Sequence, residues 1–351
     1  MSLHVTFVLP GPARRPGGGH KIVYQYANAL VSVGARVTVL HLRPDRGPVT
    51  RVRRLVRTSS YAVARHWRPN WFELDPRVVV QNWPRQAPRY VPDDTDLVIA
   101  TSVLTAHFVS RCAASRGIRA MYLIQHFEDW TATKDFVEET WALPMERVVV
   151  SGWLLRIAVD LKLSATLIRN GVDGREFPPG PPVTERRPSV LALVSDQPWK
   201  RTDVVAEVYR DLEGSRRDVR LAAFGTCPRP KSLPRGVRYY RDPSRSQLST
   251  LYRNSAIYLC ASDHEGFGLP VAEAMASGAA VVSTLNGGVP DFAGDGFNFQ
   301  KPGDTAGILG EIHRLLDDPV ALSKTALDGQ VVAAGMSLSR SAAAFVNACM
   351  G

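Results

Sequence analysis

Short runs of β-branched and apolar residues alternate with stretches of helical period along nearly the whole chain, and few folds tolerate that pattern. His4–Leu9, Arg36–Leu42, Asp96–Ala100, Ala120–Gln125, Arg147–Val150 and Ala165–Arg169 read as strands. Most are apolar at nearly every position, as parallel strands covered on both faces must be. Helices are expected between them over His20–Val33, Leu104–Ser115 and Trp153–Leu163. A β-α-β-α order folds as a doubly wound α/β sheet. The alternation stops at Asp173-Gly174-Arg175-Glu176-Phe177-Pro178-Pro179-Gly180-Pro181-Pro182, which can continue neither a helix nor a central strand. It then restarts, with strands over Ser189–Val194, Arg220–Phe224, Val237–Tyr240, Ala256–Ala261, Ala279–Thr284 and Phe297–Gln300. Helices are expected over Arg201–Glu213, Ser246–Asn254, Pro270–Ser277, Asp304–Asp317, Pro319–Ala334 and Ser339–Ala348. At 351 residues the chain is too long for one ordinary core. Two Rossmann-like domains are therefore expected, 1–172 and 189–335, with 173–188 as linker and 336–351 as a terminal helix. Such sheets place ligands at the carboxyl ends of their strands, so a cleft between the two sets of ends is expected.

The formal charge of +10 points to an anionic partner without choosing among nucleotide, phosphorylated acceptor, membrane surface and nucleic acid. Much of it lies in the arginine-rich stretch 43–90, where Val52, Leu55, Val56, Val63 and Trp67 recur near helical spacing. A basic amphipathic helix over about 51–68 is expected there, either packed on the first sheet or docking an anionic acceptor or membrane headgroups. The four cysteines lie far apart and form no C-x-x-C pair, which fits neither a zinc site nor a disulfide framework. No apolar run approaches the ~18 residues of a spanning helix, and Met1–Val5 reads as a strand start rather than a signal peptide. A cytoplasmic protein, at most peripheral at the inner membrane face, is expected.

The segment richest in chemistry is Ser262-Asp263-His264-Glu265-Gly266-Phe267-Gly268-Leu269-Pro270-Val271-Ala272-Glu273-Ala274-Met275-Ala276-Ser277-Gly278. A strand delivers the chain to it, Gly266 and Gly268 permit a tight loop, and Pro270 suits the first helical position. Such a helix N-terminus offers free N–H groups and the positive dipole end to a phosphate. Glu265 falls in the loop and Glu273 is expected in the first helical turn, so one carboxylate can face a sugar and the other a ribose.

The run EGFGLPVAEAMASGAAVVST resembles the E-x7-E signature of the retaining glycosyltransferases of family 4, which have the GT-B fold. Gly17-Gly18-Gly19-His20 resembles the family's glycine-rich N-terminal loop. Ile168-Arg169-Asn170-Gly171-Val172-Asp173 resembles its P-N-G-V-D segment, with Arg169 where proline is usual. Asn286-Gly287-Gly288-Val289-Pro290-Asp291 resembles its G-G-x-x-E loop, with Asp291 in place of glutamate. In Val194-Ser195-Asp196-Gln197-Pro198-Trp199-Lys200-Arg201, Lys200 matches the family lysine, the usual upstream arginine is absent, and Arg201 follows directly. Phe127-Glu128-Asp129-Trp130 is similar to the rhamnosyltransferase-like branch, which hints at a deoxysugar donor.

The resemblance implies a GT-B protein, two Rossmann-like domains with parallel sheets facing across a central cleft. It also implies transfer from a nucleoside-diphosphate sugar with retention, with no essential metal and no cofactor beyond that co-substrate. His126 and Glu265 would be catalytic, and Gly18, Gly19, Lys200, Arg201, Gly266, Phe267, Gly268, Leu269 and Glu273 would bind the donor. The acceptor is not named by the residues. Asp94-Thr95-Asp96 fits a metal-holding D-x-D, but it precedes its strand and reads as a surface turn at the amino end. Two alternatives stay open: a GT-B sugar-nucleotide epimerase, and a basic nucleic-acid-binding protein using Arg43–Arg89. The latter lacks a recognised binding motif, so no nucleic-acid partner is expected.

Overall fold

The computed structural model describes residues 2–12, 14–43 and 67–351. The helix expected at 51–68 lies outside the described residues apart from Trp67 and Arg68. The chain divides into two compact units: Met1–Arg169 with Ser341–Gly351, and Asn170–Arg340.

The first unit is built on a seven-stranded sheet in the order β3-β2-β1-β4-β5-β6-β7, all pairs parallel. Its strands are β1 (His4–Leu9), β2 (Arg36–Leu42), β3 (Val79–Trp83), β4 (Leu97–Ala100), β5 (Arg119–Ile124), β6 (Glu146–Val149) and β7 (Thr166–Leu167). Helices α1 (Gly18–Ser32), α2 (Val103–Arg116), α3 (Lys134–Ala142) and α4 (Gly152–Asp160) connect them. β1 and β4 are buried at every position, the two-sided covering that their largely apolar runs require. β3 and α3 were not expected from sequence. β3 is an edge strand of alternating exposure inside an arginine-rich stretch, so its apolar signal is halved.

The second unit carries a five-stranded parallel sheet, β10-β9-β8-β11-β12. Here β8 is Ser189–Leu193, β9 Arg220–Gly225, β10 Arg238–Arg241, β11 Ile257–Cys260 and β12 Ala280–Ser283. Helices α5 (Thr202–Ser215), α6 (Arg245–Asn254), α7 (Leu269–Ala276), α8 (Gly288–Ala293), α9 (Thr305–Asp317) and α10 (Pro319–Gly335) pack around it. α5 buries Val204, Val205, Val208, Tyr209 and Leu212, an i, i+1, i+4, i+5, i+8 stripe laid on β8 and β9. The chain winds outward from β8 through β9 to β10, then returns to place β11 on the other side of β8. The carboxyl ends of β8 and β11 therefore flank a topological switch point.

Three expectations are corrected. The strand expected at Phe297–Gln300 does not form; Gln300 makes a single bridge to Thr284, and Asn298 turns its amide to Glu311. The expected linker 173–188 is built into the second unit. Phe177 is buried and packs edge-on against Tyr252, Glu176 pairs with Arg245, and Arg186 donates to the carbonyls of Pro181, Ser255 and Ser277. Burial, together with the nearby Arg253 charge, draws the Arg186 guanidinium down to about 10. The terminal helix α11 forms over Leu338–Met350, but from Ser341 it belongs to the first unit. Phe345 stacks on Tyr26 with ring centroids 4.0 Å apart, and Arg119 donates to the carbonyls of Ala348 and Cys349 at the helix end. Among the described residues no helix is long and apolar enough to cross a membrane.

Candidate functional site

In the second unit two loops leave the sheet at its switch point. After β8 the chain makes a short 3-10 turn over Pro198–Lys200, and Arg201 adopts a left-handed conformation at φ 48° before α5 starts. After β11 it runs through Ser262, Asp263 and His264 to Glu265. The loops are joined at three points. The Asp263 N–H donates to the Trp199 carbonyl at 2.8 Å, Lys200 Nζ donates to Glu265 Oε1 at 2.6 Å, and Arg201 Nη1 donates to Asp263 Oδ1 at 3.0 Å. The Glu265 side chain is only 10% exposed, and its N–H donates to the Asn286 carbonyl. A buried carboxyl group needs partners for its oxygens, and the Lys200 ammonium and the Ser262 hydroxyl both donate to Oε1.

Two glycines make the turn possible. Gly268 sits at φ 97°, and a Cβ there would stand 2.6 Å from Val289 Cγ2. Gly288 packs its bare Cα against the carbonyl oxygens of Phe267 and Glu265, so the α8 loop closes directly over the backbone of this turn. Phe267 contacts Phe292 of α8 with ring centroids 5.0 Å apart. Leu269 is the first residue of α7, and Pro270 needs no N–H partner in that first turn. The Val271 and Ala272 N–H groups turn back to the Gly268 carbonyl, so the positive end of the helix lies at the Glu265 loop. A pocket at this end is lined by Lys200, Cys260, Ser262, Glu265, Pro270 and Val271 among others. Burial and the adjacent carboxylate push the Cys260 thiol up to about 11, which leaves it an inert packing group.

Glu273 departs from expectation. Because α7 begins at Leu269, Glu273 falls in its second turn rather than its first, 5% exposed, and its Oε2 accepts from Tyr252 at 3.3 Å. Arg201 is likewise committed, with Nε and Nη2 on Asp203 as well as Nη1 on Asp263. Those two carboxylates hold its guanidinium well above the ordinary arginine range.

The remaining candidates lie in the first unit. Gly17 caps α1, Gly18 and Gly19 open it, and a Cβ on Gly19 would come within 3.3 Å of the Gln125 amide. His126 follows Gln125 at the carboxyl end of β5, edge-on to Trp130 at 4.2 Å and to Trp153 at 5.6 Å. Nearby, Glu128 is half-buried against the start of α2, accepting from the Val103 N–H and the Ser102 hydroxyl. Burial raises it to about 7 against those two hydrogen bonds. Asp94 and Asp96 sit at the amino end of the sheet and hold His4: Asp94 meets its imidazole at 3.0 Å and Asp96 its backbone N–H at 2.8 Å. Gly171 lies against the backbone of Ser337 and Leu338, where a Cβ would come within 2.4 Å, so this glycine serves close chain packing. Sequence reasoning did not single out Ser262, Asp263 or Asn286 for a role. Their polarity beside a buried carboxylate was the available signal.

Residues 175–328 match the family model described as Glycosyl transferases group 1. The chain is 36% identical over 97 residues to a D-inositol 3-phosphate glycosyltransferase of Mycolicibacterium vanbaalenii, covering 26% of this chain and 21% of that protein. It is 28% identical over 187 residues to the enzyme of the same name from Mycolicibacterium smegmatis, covering 46% of this chain and 42% of the relative. Each match thus spans less than half the length of the curated relative. Among solved structures, HepE from Anabaena in complex with UDP and glucose superposes with a TM-score of 0.75 at 14% identity, over 99% of both chains. Sucrose-phosphate synthase from Thermosynechococcus elongatus gives 0.75 at 16% identity, over 99% of this chain and 98% of that one. TarM gives 0.74 at 11% identity over 100% and 99%. The fold is GT-B.

Proposed function

We propose that this protein is a retaining, metal-independent glycosyltransferase that moves a sugar from a nucleoside-diphosphate sugar to a hydroxyl-bearing acceptor. The observation that carries the reading is the Lys200–Glu265 ion pair, its carboxylate buried, at the switch point of the second unit, inside the segment that matches the group 1 model. Departure of a nucleoside diphosphate builds negative charge, and a preorganised cation beside a helix N-terminus stabilises charge of that sign. The ammonium of Lys200 has three N–H donors, so it can keep Glu265 while reaching a phosphate oxygen. Glu265 would face the sugar, Gly266 to Leu269 would let the backbone approach the diphosphate, and Glu273 would meet the ribose. Arg201 would act mainly by bracing the loop through Asp203 and Asp263. Gly18, Gly19 and His126, which lie on the first unit, are proposed to act in the same reaction.

The sugar nucleotide is a co-substrate and no resident cofactor enters. UDP or UDP-glucose occupies neighbours of the same fold, and the named relatives act with inositol 3-phosphate, so both belong in the first screen. Thermal-shift measurements with UDP, GDP, ADP and dTDP and their sugars come first, followed by mass spectrometry with saccharide, lipid-linked and small polyol acceptors. The expected result is a stabilising nucleotide and an acceptor-dependent mass gain of one sugar, with the anomeric configuration of the donor kept. Conversion of the donor in the absence of any acceptor would instead establish an epimerase. Turnover lost in EDTA and restored by Mn²⁺ would remove the metal-independent reading, and undiminished transfer by Glu265→Gln with normal donor binding would remove the role of Glu265.

A further inference from the structure

The donors around Glu265 converge on one of its two oxygens. Lys200 Nζ reaches Oε1 at 2.6 Å, Ser262 Oγ reaches the same atom at 2.8 Å, and the Cys260 thiol lies 3.8 Å from it. Among the described residues no hydrogen bond is made to Oε2. We propose that Ser262 is a positioning residue, whose hydroxyl pins Oε1 of Glu265 so that Oε2 is presented to the ligand.

Ser262 is built for that task. It is 3% exposed, and its backbone is fixed on both sides: its carbonyl accepts from the Thr284 hydroxyl, and the next N–H donates to the Trp199 carbonyl. A hydroxyl donating to a carboxylate is among the stronger hydrogen bonds a side chain makes. The role rests on the glycosyltransferase reading and explains a difficulty within it. A diphosphate shares the Lys200 ammonium with Glu265, so the ion pair alone fixes the carboxylate less firmly at the moment when it must stay aimed. Ser262 is buried and carries a single O–H, which is committed to Oε1, so its hold persists in the loaded site.

The test uses the full chain, with UDP as the binding probe and, for turnover, the sugar nucleotide selected by the thermal-shift screen. Ser262→Ala is expected to lower kcat by about tenfold or more while KM for the donor and UDP affinity stay within about twofold. Ser262→Thr, which restores the hydroxyl, is expected to recover most of that loss. In a Glu265→Gln background, Ser262→Ala is expected to add less than about a twofold further loss, because residues acting through one group are not additive. Wild-type kcat in Ser262→Ala, a threonine variant as slow as the alanine one, or a full further loss on Glu265→Gln each overturns the proposal. A crystal structure of Ser262→Ala provides a readout independent of activity: the Glu265 carboxylate should leave its single position, and an unmoved, singly ordered carboxylate overturns the proposal too. If the wild type binds no nucleotide and transfers nothing, the glycosyltransferase reading fails, and that crystal structure still decides whether Ser262 positions Glu265.

Discussion

Replacing Glu128 by glutamine should make the protein relatively more stable as the pH rises, although it removes a hydrogen-bonded carboxylate. Glu128 is half-buried, with the Val103 N–H at 2.5 Å and the Ser102 hydroxyl at 3.0 Å as its partners. Those two donors at the start of α2 favour the charged form, yet burial outweighs them and raises the group from 4.5 to about 7. A group raised in the folded state binds its proton more tightly there than in the unfolded chain. Its contribution is therefore complete below about pH 4.5 and is lost as the pH climbs through about 7. At about 1.4 kcal/mol per pH unit, the interval amounts to roughly 3 kcal/mol forfeited by pH 8. Glutamine keeps an oxygen acceptor for Val103 and Ser102 and never ionises. Buried His41 works in the opposite sense, held down to about 3 by burial and by His20, so it costs stability as the pH falls. The difference between wild type and Glu128→Gln cancels that contribution. Urea unfolding at pH 5, 6, 7 and 8 should show the variant gaining on wild type by roughly 2–3 kcal/mol across the series, concentrated between pH 5 and 7.5. A constant offset, or a variant that loses ground with rising pH, would refute the reasoning.

Gly288→Ala places a methyl group 2.6 Å from the Phe267 carbonyl oxygen and 2.7 Å from that of Glu265, neither of which can move without reshaping the turn. UDP affinity, read by calorimetry, should fall at least about tenfold with a lower melting temperature, and unchanged affinity counts against the placement of the site. Phe345→Ala removes the ring stacked on Tyr26 and should cost about 3–5 kcal/mol while exposing the terminal helix to limited proteolysis. A loss below about 1 kcal/mol with an intact helix would show that α11 is held by its Arg119 cap and the Ser341–Tyr26 hydrogen bond instead.

Strand and helix periods could be read locally because burial on both faces imposes its own composition. β1 and β2 run over the expected residues, and most other elements lie within one or two residues of expectation. The Glu265–Pro270 turn was legible for a similar reason, since glycine and proline at those positions answer to backbone geometry alone. What was not legible depends on residues far apart in sequence. The proline-rich 173–188 looks like a linker until Arg186 finds the carbonyls of Ser255 and Ser277. The terminal helix carries no mark in its own sequence that its final residues pack on Tyr26. Nor could spacing show that Lys200 and Ser262 meet at a single oxygen of Glu265, because β8 and β11 are brought side by side only when the parallel sheet assembles. Local pattern thus determined which elements form and where a tight, phosphate-friendly turn lies. The register of the assembled sheet decided which side chains share an atom, since hydrogen bonds act over about 3 Å and sequence distance carries no such length.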